Sequence, residues 1–328
     1  MKKLKYFFIF FLLSFIYKAN PQDFNLQNID EKFVNNSNSI LPSNPPAAPS
    51  EIMFELKETN VRIPLKETNV RIPLIYIKAG TFVMGRESSS FEKLLACIFP
   101  SQKKYCNEKP SRKIKITKDF YIGENKITNE QYCNFLNEID NSQKYIELND
   151  FTNIDFKNEI YVPKTGCEKG PVNTVPWIGA KAFCDWLSFK TGHFVRLPSE
   201  AEWEFVACGS DNRLFPWGNV EKHELRQKNA CIAVGTISEN VTPDGVVEML
   251  GHIGEWCSDF YGERYLKDDL VDPKGPSGKD LENQSLNFFY PNKYYVLRGR
   301  SNDNKGRDFG LEVNHASVYG FRILVELE

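Results

Sequence analysis

No cysteine occurs between Ser258 and Glu328, and the eight that the chain carries form no C-x-x-C pair. A zinc ribbon and a thioredoxin-type redox site both need that spacing, so neither is expected. Histidine is scarce: His193, His223, His252 and His315 stand far apart, none at helix-face spacing. There is no H-E-x-x-H zinc motif, no glycine-rich phosphate loop and no Ser/His/Asp arrangement. An excess of one charge is missing too. Lysine and arginine total 41 against 43 acidic residues, for a net charge of -2. Nucleic-acid binding asks for a concentrated basic face, which this balance does not supply.

Long apolar runs are absent beyond the N-terminus. There, Lys2, Lys3 and Lys5 precede an apolar stretch from Tyr6 to Tyr17 that is broken only by Ser14. Such a stretch is short for crossing a bilayer, and a small residue follows at Ala19. Residues 1–19 therefore read as a signal peptide, or as an anchor, because Tyr17 sits where a signal peptidase prefers a small side chain. The expected location is outside the cytoplasm: periplasmic, cell-envelope or extracellular. Residues 20–50, rich in Asn, Ser and Pro, cannot bury enough apolar surface to offset their ordering entropy. Lys-Glu-Thr-Asn-Val-Arg-Ile-Pro-Leu then occurs twice in succession, at 57–65 and 66–74. Two short copies do not make a solenoid, so 20–73 is expected to be a flexible linker and 74–328 the folded domain.

What is present is aromatic and loop-forming: 13% aromatic residues, with 20 glycines and 18 prolines. Short strands are expected at Ile75–Ile77 and Thr81–Met84, and one strand over Lys113–Tyr121. Thr128 caps a helix running to Ile139, with Gln131 placed to reach back to the cap and Tyr132, Phe135, Leu136 and Ile139 on one face. Residues 141–168 read as an inserted polar loop. A second helix carries Ala180, Phe183, Cys184 and Leu187 and ends near Gly192. A third opens at Ser199, after Pro198, where Glu202 completes a capping box; Trp203, Val206 and Ala207 share its apolar face, and Gly209 can close it. Phe215-Pro216-Trp217 makes an aromatic turn.

The string Arg-Leu-Pro-Ser-Glu-Ala-Glu-Trp-Glu-Phe at 196–205, followed by Phe-Pro-Trp-Gly at 215–218, resembles the core signature of the formylglycine-generating enzyme (sulfatase-modifying factor) family. Further matches keep the family order. They are Ile77-Lys78-Ala79-Gly80-Thr81-Phe82-Val83-Met84-Gly85, Glu108-Lys109-Pro110, Ile127-Thr128-Asn129 with Tyr132, and Val175-Pro176-Trp177. The segment 244–256 follows, and then Val296-Leu297-Arg298-Gly299-Arg300-Ser301 and Gly320-Phe321-Arg322. Asp244–Trp256 departs from the family's Gly-Asn-Val-Trp-Glu-Trp ending at His252 and Gly254. The resemblance implies a single α+β domain of the formylglycine-generating-enzyme type, related to C-type lectins, with short helices and strands and much ordered loop.

Family enzymes that oxidise a sulfatase cysteine bind copper(I) through two cysteines after the Arg-Gly-Gly-Ser strand, a sound pairing because soft thiolates select that ion. Those positions fall here on Asn304 and Phe309, so no catalytic residue is assigned and copper is not expected. The iron-binding His cluster of another branch has no counterpart. The resemblance also implies a calcium site at Glu248, Gly251 (carbonyl), Ile253 (carbonyl) and Glu255, a set of oxygens suited to a hard cation. The alternative is that Glu255 pairs with a buried arginine such as Arg298 and Glu248 is solvated. The resemblance implies a second calcium site on an acidic segment that is shortened here, with Asn229 read as its remnant. Cys184 and Cys208 are expected as buried thiols, Cys97 and Cys106 as a possible staple, and Arg196, Arg298 and Arg322 as clamps on core loops. The expected role is a non-catalytic binding or envelope-assembly module for a protein or glycan ligand. Its ligand surface would be formed by Trp256, Ser301, Asn302, Asn304 and Arg307. The alternative role is a formylglycine-generating oxidase.

Overall fold

The structure, a computed structural model, describes residues 53–56, 71–87, 107–226, 231–251, 253–267, 270–277, 279–282, 294–301, 303–313 and 316–327. In chain order these form β1 (Met53–Leu56), β2 (Arg71–Ile77), β3 (Gly80–Met84), β4 (Arg112–Ile116) and β5 (Phe120–Gly123). Helix α1 (Asn129–Glu138), the hairpin β6 (Ile154–Lys157) and β7 (Ile160–Pro163), helix α2 (Trp177–Thr191), β8 (Val195–Arg196) and helix α3 (Glu200–Cys208) follow. The last part holds β9 (Gly254–Phe260), α4 (Lys279–Glu282), β10 (Tyr294–Arg298), β11 (Asp308–Leu311), β12 (Tyr319–Gly320) and β13 (Leu324–Glu326).

Two sheets carry the architecture. One has the order β1-β2-β5-β13-β8, with β13 antiparallel to both its neighbours. The other runs β11-β10-β9-β12, where β9 meets β10 antiparallel and β12 parallel. Separate ribbons join β3 to β4 and β6 to β7. Short helices among short strands make this an α+β fold with much ordered loop.

Local sequence accounts for the helices. Thr128 and Ser199 each accept from the amide three residues on, at 3.3 and 3.2 Å, while Gln131 and Glu202 accept from the cap amides at 2.9 and 2.7 Å. Two complete capping boxes result, each satisfying amides that an uncapped first turn leaves unpaired. Gly192 ends α2 at φ 73°, a left-handed conformation that costs glycine little, and its amide donates to Ser188 O at 2.9 Å.

Two expectations need correction. The stretch 113–121 is two strands in different sheets rather than one. Asp119 breaks it by turning back to accept from Ala79 N–H at 2.7 Å and from the Tyr76 hydroxyl, while Thr117 N–H donates to Asp272 at 2.8 Å. The inserted stretch 141–168 is not plain loop, because it contains the β6–β7 hairpin. The ordered sheet also reaches into the stretch expected to be linker: β1 pairs parallel with Arg71–Leu74 of the second nine-residue copy. The rest of that duplication, the N-terminal apolar run, and Cys97 and Cys106 lie outside the described residues.

The core has two parts. Tyr132, Phe135, Phe183 and Phe321 pack α1 and α2 against the β12–β13 region. Phe82, Ile114, Trp203, Val206, Met249 and Leu324 form the other part, around α3. Trp203 and Trp256 have no exposed surface. Burying one such ring stabilises the fold by about 4–6 kcal/mol, at roughly 25 cal/mol per Å² over the 150–250 Å² an aromatic side chain hides.

Candidate functional site around Trp203

Helix α3 carries three glutamates that pair with arginines on two sides. Glu200 and Glu204, one turn apart, both meet Arg298 at the end of β10, at 2.9 and 2.7 Å. Glu202 turns the other way and pairs with Arg196 through both oxygens at 2.7 Å. Arg307 adds a second guanidinium to Glu200, one nitrogen lying 2.8 Å from Oε2, and donates to Gly262 O at 2.9 Å. A pocket beside this centre is lined by Arg112, Glu200, Asp259, Arg264, Tyr265 and Arg307. Burial alone would raise Glu200, yet Arg307 and Arg298 hold it below the usual carboxylate range. For Glu204 burial wins and its affinity for a proton rises. Burial, with the Glu200 charge beside it, pushes Asp259 up to about 7.

A second ionic centre lies on β9. Glu255 Oε2 accepts from Trp203 Nε1 at 2.8 Å and from Arg322 Nε at 2.6 Å; Oε1 accepts from the other Arg322 nitrogen at 2.9 Å. The Lys126 ammonium stands 3.1 Å from the same Oε1 and also donates to the Glu248 carbonyl. Burial pushes Glu255 up, but the Arg322 and Lys126 charges, with hydrogen bonds from Arg322 and Trp203, bring it down to about 2. Arg322 further donates to the carbonyls of Gly123, Glu124 and Val247, the loop-clamping role expected of it. Arg298 lies opposite Glu255 in strand register, yet the partner of Glu255 is Arg322. Trp203 joins the two centres, since the Arg298 guanidinium lies 5.1 Å from its ring centre.

The expected metal residues fall on this second centre in a particular way. Glu248 is buried at φ 53°, its side chain accepting from Ile237 N–H at 3.2 Å. Gly251 donates to Gly299 O at 3.0 Å, and Ile253 is buried. Lys126, the group that links Glu248 to Glu255, escaped notice in the sequence. A lysine between Asn125 and Ile127 carries no local sign that its ammonium will be buried. Among the described residues no group of three His, Cys, Asp or Glu side chains is arranged to hold a metal. His252, His315 and Asn229 lie outside the described residues.

The expected ligand surface needs correction, because most of it is interior. Trp256 is fully buried and donates to Val175 O at 2.8 Å. Asn304 is fully buried, its side-chain amide donating to Ala207 O at 2.7 Å and its backbone amide to Leu214 O at 2.9 Å. Arg307 is consumed by Glu200. Ser301 is half-buried against Gly306, and Asn302 lies outside the described residues. The neighbouring groups that do reach solvent are Arg300 and Asp308, 3.4 Å apart and each about two-fifths exposed (38% and 43%).

The positions tested for copper do not fit that ion. Asn304 offers an amide already bound to backbone, and Phe309 packs between Tyr261 and Tyr294 with ring centres 4.5 and 5.5 Å away. The thiols of Cys133, Cys184, Cys208 and Cys257 are buried and unpaired with one another. Burial pushes each up, Cys133 to about 12, far from the thiolate form that binds metal. Cys167 and Cys231 form a disulfide that local spacing did not reveal.

Two short-stranded sheets and capped helices among much ordered loop make an α+β domain. The chain belongs to the sulfatase-modifying factor family, for the model of the sulfatase-modifying factor enzyme 1-like domain matches residues 65–326. The formylglycine-generating enzyme of Bos taurus is 26% identical over 301 residues, 76% of this chain and 73% of that protein. Serine/threonine-protein kinase pkn1 of Chlamydia pneumoniae is 33% identical over 231 residues, 66% of this chain but 34% of the kinase. The chain thus spans about a third of the length of that relative. Among solved structures, PvdO from Pseudomonas aeruginosa has the same fold, with a TM-score of 0.52 at 19% identity over 77% of this chain and 94% of that one.

Proposed function

We propose that the chain is an exported, non-catalytic member of this family that works as a binding or envelope-assembly module for a protein or glycan ligand. The observation that carries the reading is the state of the two copper-thiolate positions. Asn304 is locked to Ala207 and Leu214, and Phe309 is part of an aromatic stack. Neither side chain offers sulfur, and both are committed to holding the loop. Export is supported by the Cys167–Cys231 disulfide, since such bonds persist in oxidising compartments. Among the described residues no helix is long and apolar enough to cross a membrane. The modular part of the reading fits the pkn1 match, in which the shared segment is one portion of a longer protein. A protein named inactive C-alpha-formylglycine-generating enzyme 2, from Bos taurus, is 28% identical over 132 residues. One relative is thus named for the lack of this activity.

The test supplies the purified chain with copper(I), oxygen and a sulfatase-motif peptide containing cysteine. Oxygen uptake and peptide aldehyde should stay at the level of the metal-only control. Stoichiometric copper on the protein together with aldehyde on the peptide would establish the rival reading, a formylglycine-generating oxidase with relocated chemistry.

A further inference from the structure

The family resemblance puts a divalent cation on the loop before β9, and the residues of this chain do not fit one there. Calcium takes six to eight oxygens at about 2.3–2.6 Å. Both oxygens of Glu255 are already engaged by four donors, from Trp203, Arg322 (twice) and Lys126. The Glu248 carbonyl accepts from Lys126, and a Glu248 carboxylate oxygen accepts from Ile237. The formal charges also cancel, with Lys126 and Arg322 against Glu248 and Glu255. Lys126, Arg322, Glu248 and Glu255 all lie at 2% exposure or less. A divalent ion would enter beside two buried cations with no uncommitted carboxylate to receive it, and desolvated charge without a partner is strongly unfavourable.

We propose that the Lys126 ammonium is the resident cation of this loop, standing in for a divalent metal and making the fold of the domain independent of one. A primary ammonium suits the place. It is a compact charge with three donors on a flexible stem, and it draws the Glu248 carbonyl and the Glu255 carboxylate to one point as a metal would. The inference concerns the folding of the loop and holds whether the domain is catalytic or not.

Thermal unfolding of the full chain in EDTA and in millimolar calcium chloride tests it directly. The wild-type midpoint should agree between the two conditions to within about 1 °C. Lys126→Ala should lower the midpoint in EDTA by about 10 °C, since it strips a buried carboxylate of one counter-charge. Calcium should then restore part of the loss, because the oxygens are retained and the ammonium is gone. Lys126→Met, which refills the stem volume without charge, should be destabilised with little recovery. A wild-type chain that loses stability in EDTA and binds one calcium by calorimetry overturns the proposal. So does a folded Lys126→Ala variant indifferent to calcium. Should that variant not fold, the wild-type comparison still decides.

Discussion

The two ionic centres that meet at Trp203 are buried to the same depth and behave differently. Around Glu255, two cations face one carboxylate and a carbonyl, with Glu248 alongside, and Glu255 is held near 2. Around Glu200, Arg298 and Arg307 pair with Glu200 and Glu204, whereas Asp259 accepts from the Glu200 amide and Ser258; Asp259 is raised to about 7 and Glu204 is raised as well. Burial raises Glu200, Glu204, Asp259 and Glu255 alike, so the neighbouring charges set the outcome. The first centre is a closed ionic knot. The second keeps a proton in reserve.

Removing the shared tryptophan should break both at once. Trp203→Ala deletes a fully buried ring and the donor to Glu255, and the expected loss is about 3–5 kcal/mol, read by urea unfolding. Next in size is the contrast between single amides. Glu255→Gln removes the carboxylate that Lys126 and Arg322 share and should cost about 3–5 kcal/mol. Glu204→Gln keeps one of the two acceptor oxygens that serve Gly85 and Arg298 separately, and Arg298 still has Glu200, so it should cost about 1–2 kcal/mol. Equal losses would erase the distinction drawn between the centres.

A pH series sharpens it further. Asp259 has its folded pKa raised, so the folded state holds a proton that the unfolded state releases. Stability from this group is intact below about 4 and is lost as pH rises toward 7. Asp259→Asn should therefore be more stable than wild type at pH 8, by about 1–3 kcal/mol, and indistinguishable from it near pH 4. Glu255 works in the opposite sense. Its folded pKa is depressed, so its contribution is present above about 4.5 and fades as pH falls toward 2. The smallest effect belongs to the helix that feeds both centres. Ser199→Ala removes one half of a capping box and should cost about 1 kcal/mol in thermal unfolding.

Features governed by near neighbours were legible in the sequence. Both capping boxes, the glycine end of α2, the ordered family motifs and the burial of Cys184 and Cys208 all follow from short spacings or from the resemblance. What escaped was the choice of distant partner. Arg298 is opposite Glu255 in the ladder and is the example that the alternative to the metal site offers as its partner, but its guanidinium runs to α3 and Arg322 takes the carboxylate. Lys126, the Cys167–Cys231 bond and the division of 113–121 between two sheets have the same character. Each depends on residues tens to hundreds of positions away, which no local period records. The ligand surface failed for a related reason, since polar residues such as Asn304 and Arg307 serve buried backbone and buried charge rather than solvent.

Strand β13 lies between β5 and β8, so an interior strand of the larger sheet is supplied by residues some two hundred positions downstream of β5. A nascent chain that has reached only β9 has neither the filler for that gap nor Arg322 to neutralise Glu255. Contacts of such long range slow folding. The first half of the domain must therefore wait, unclosed, until its far end arrives, and a polypeptide halted before Leu324 should give chaperones and proteases a persistent target.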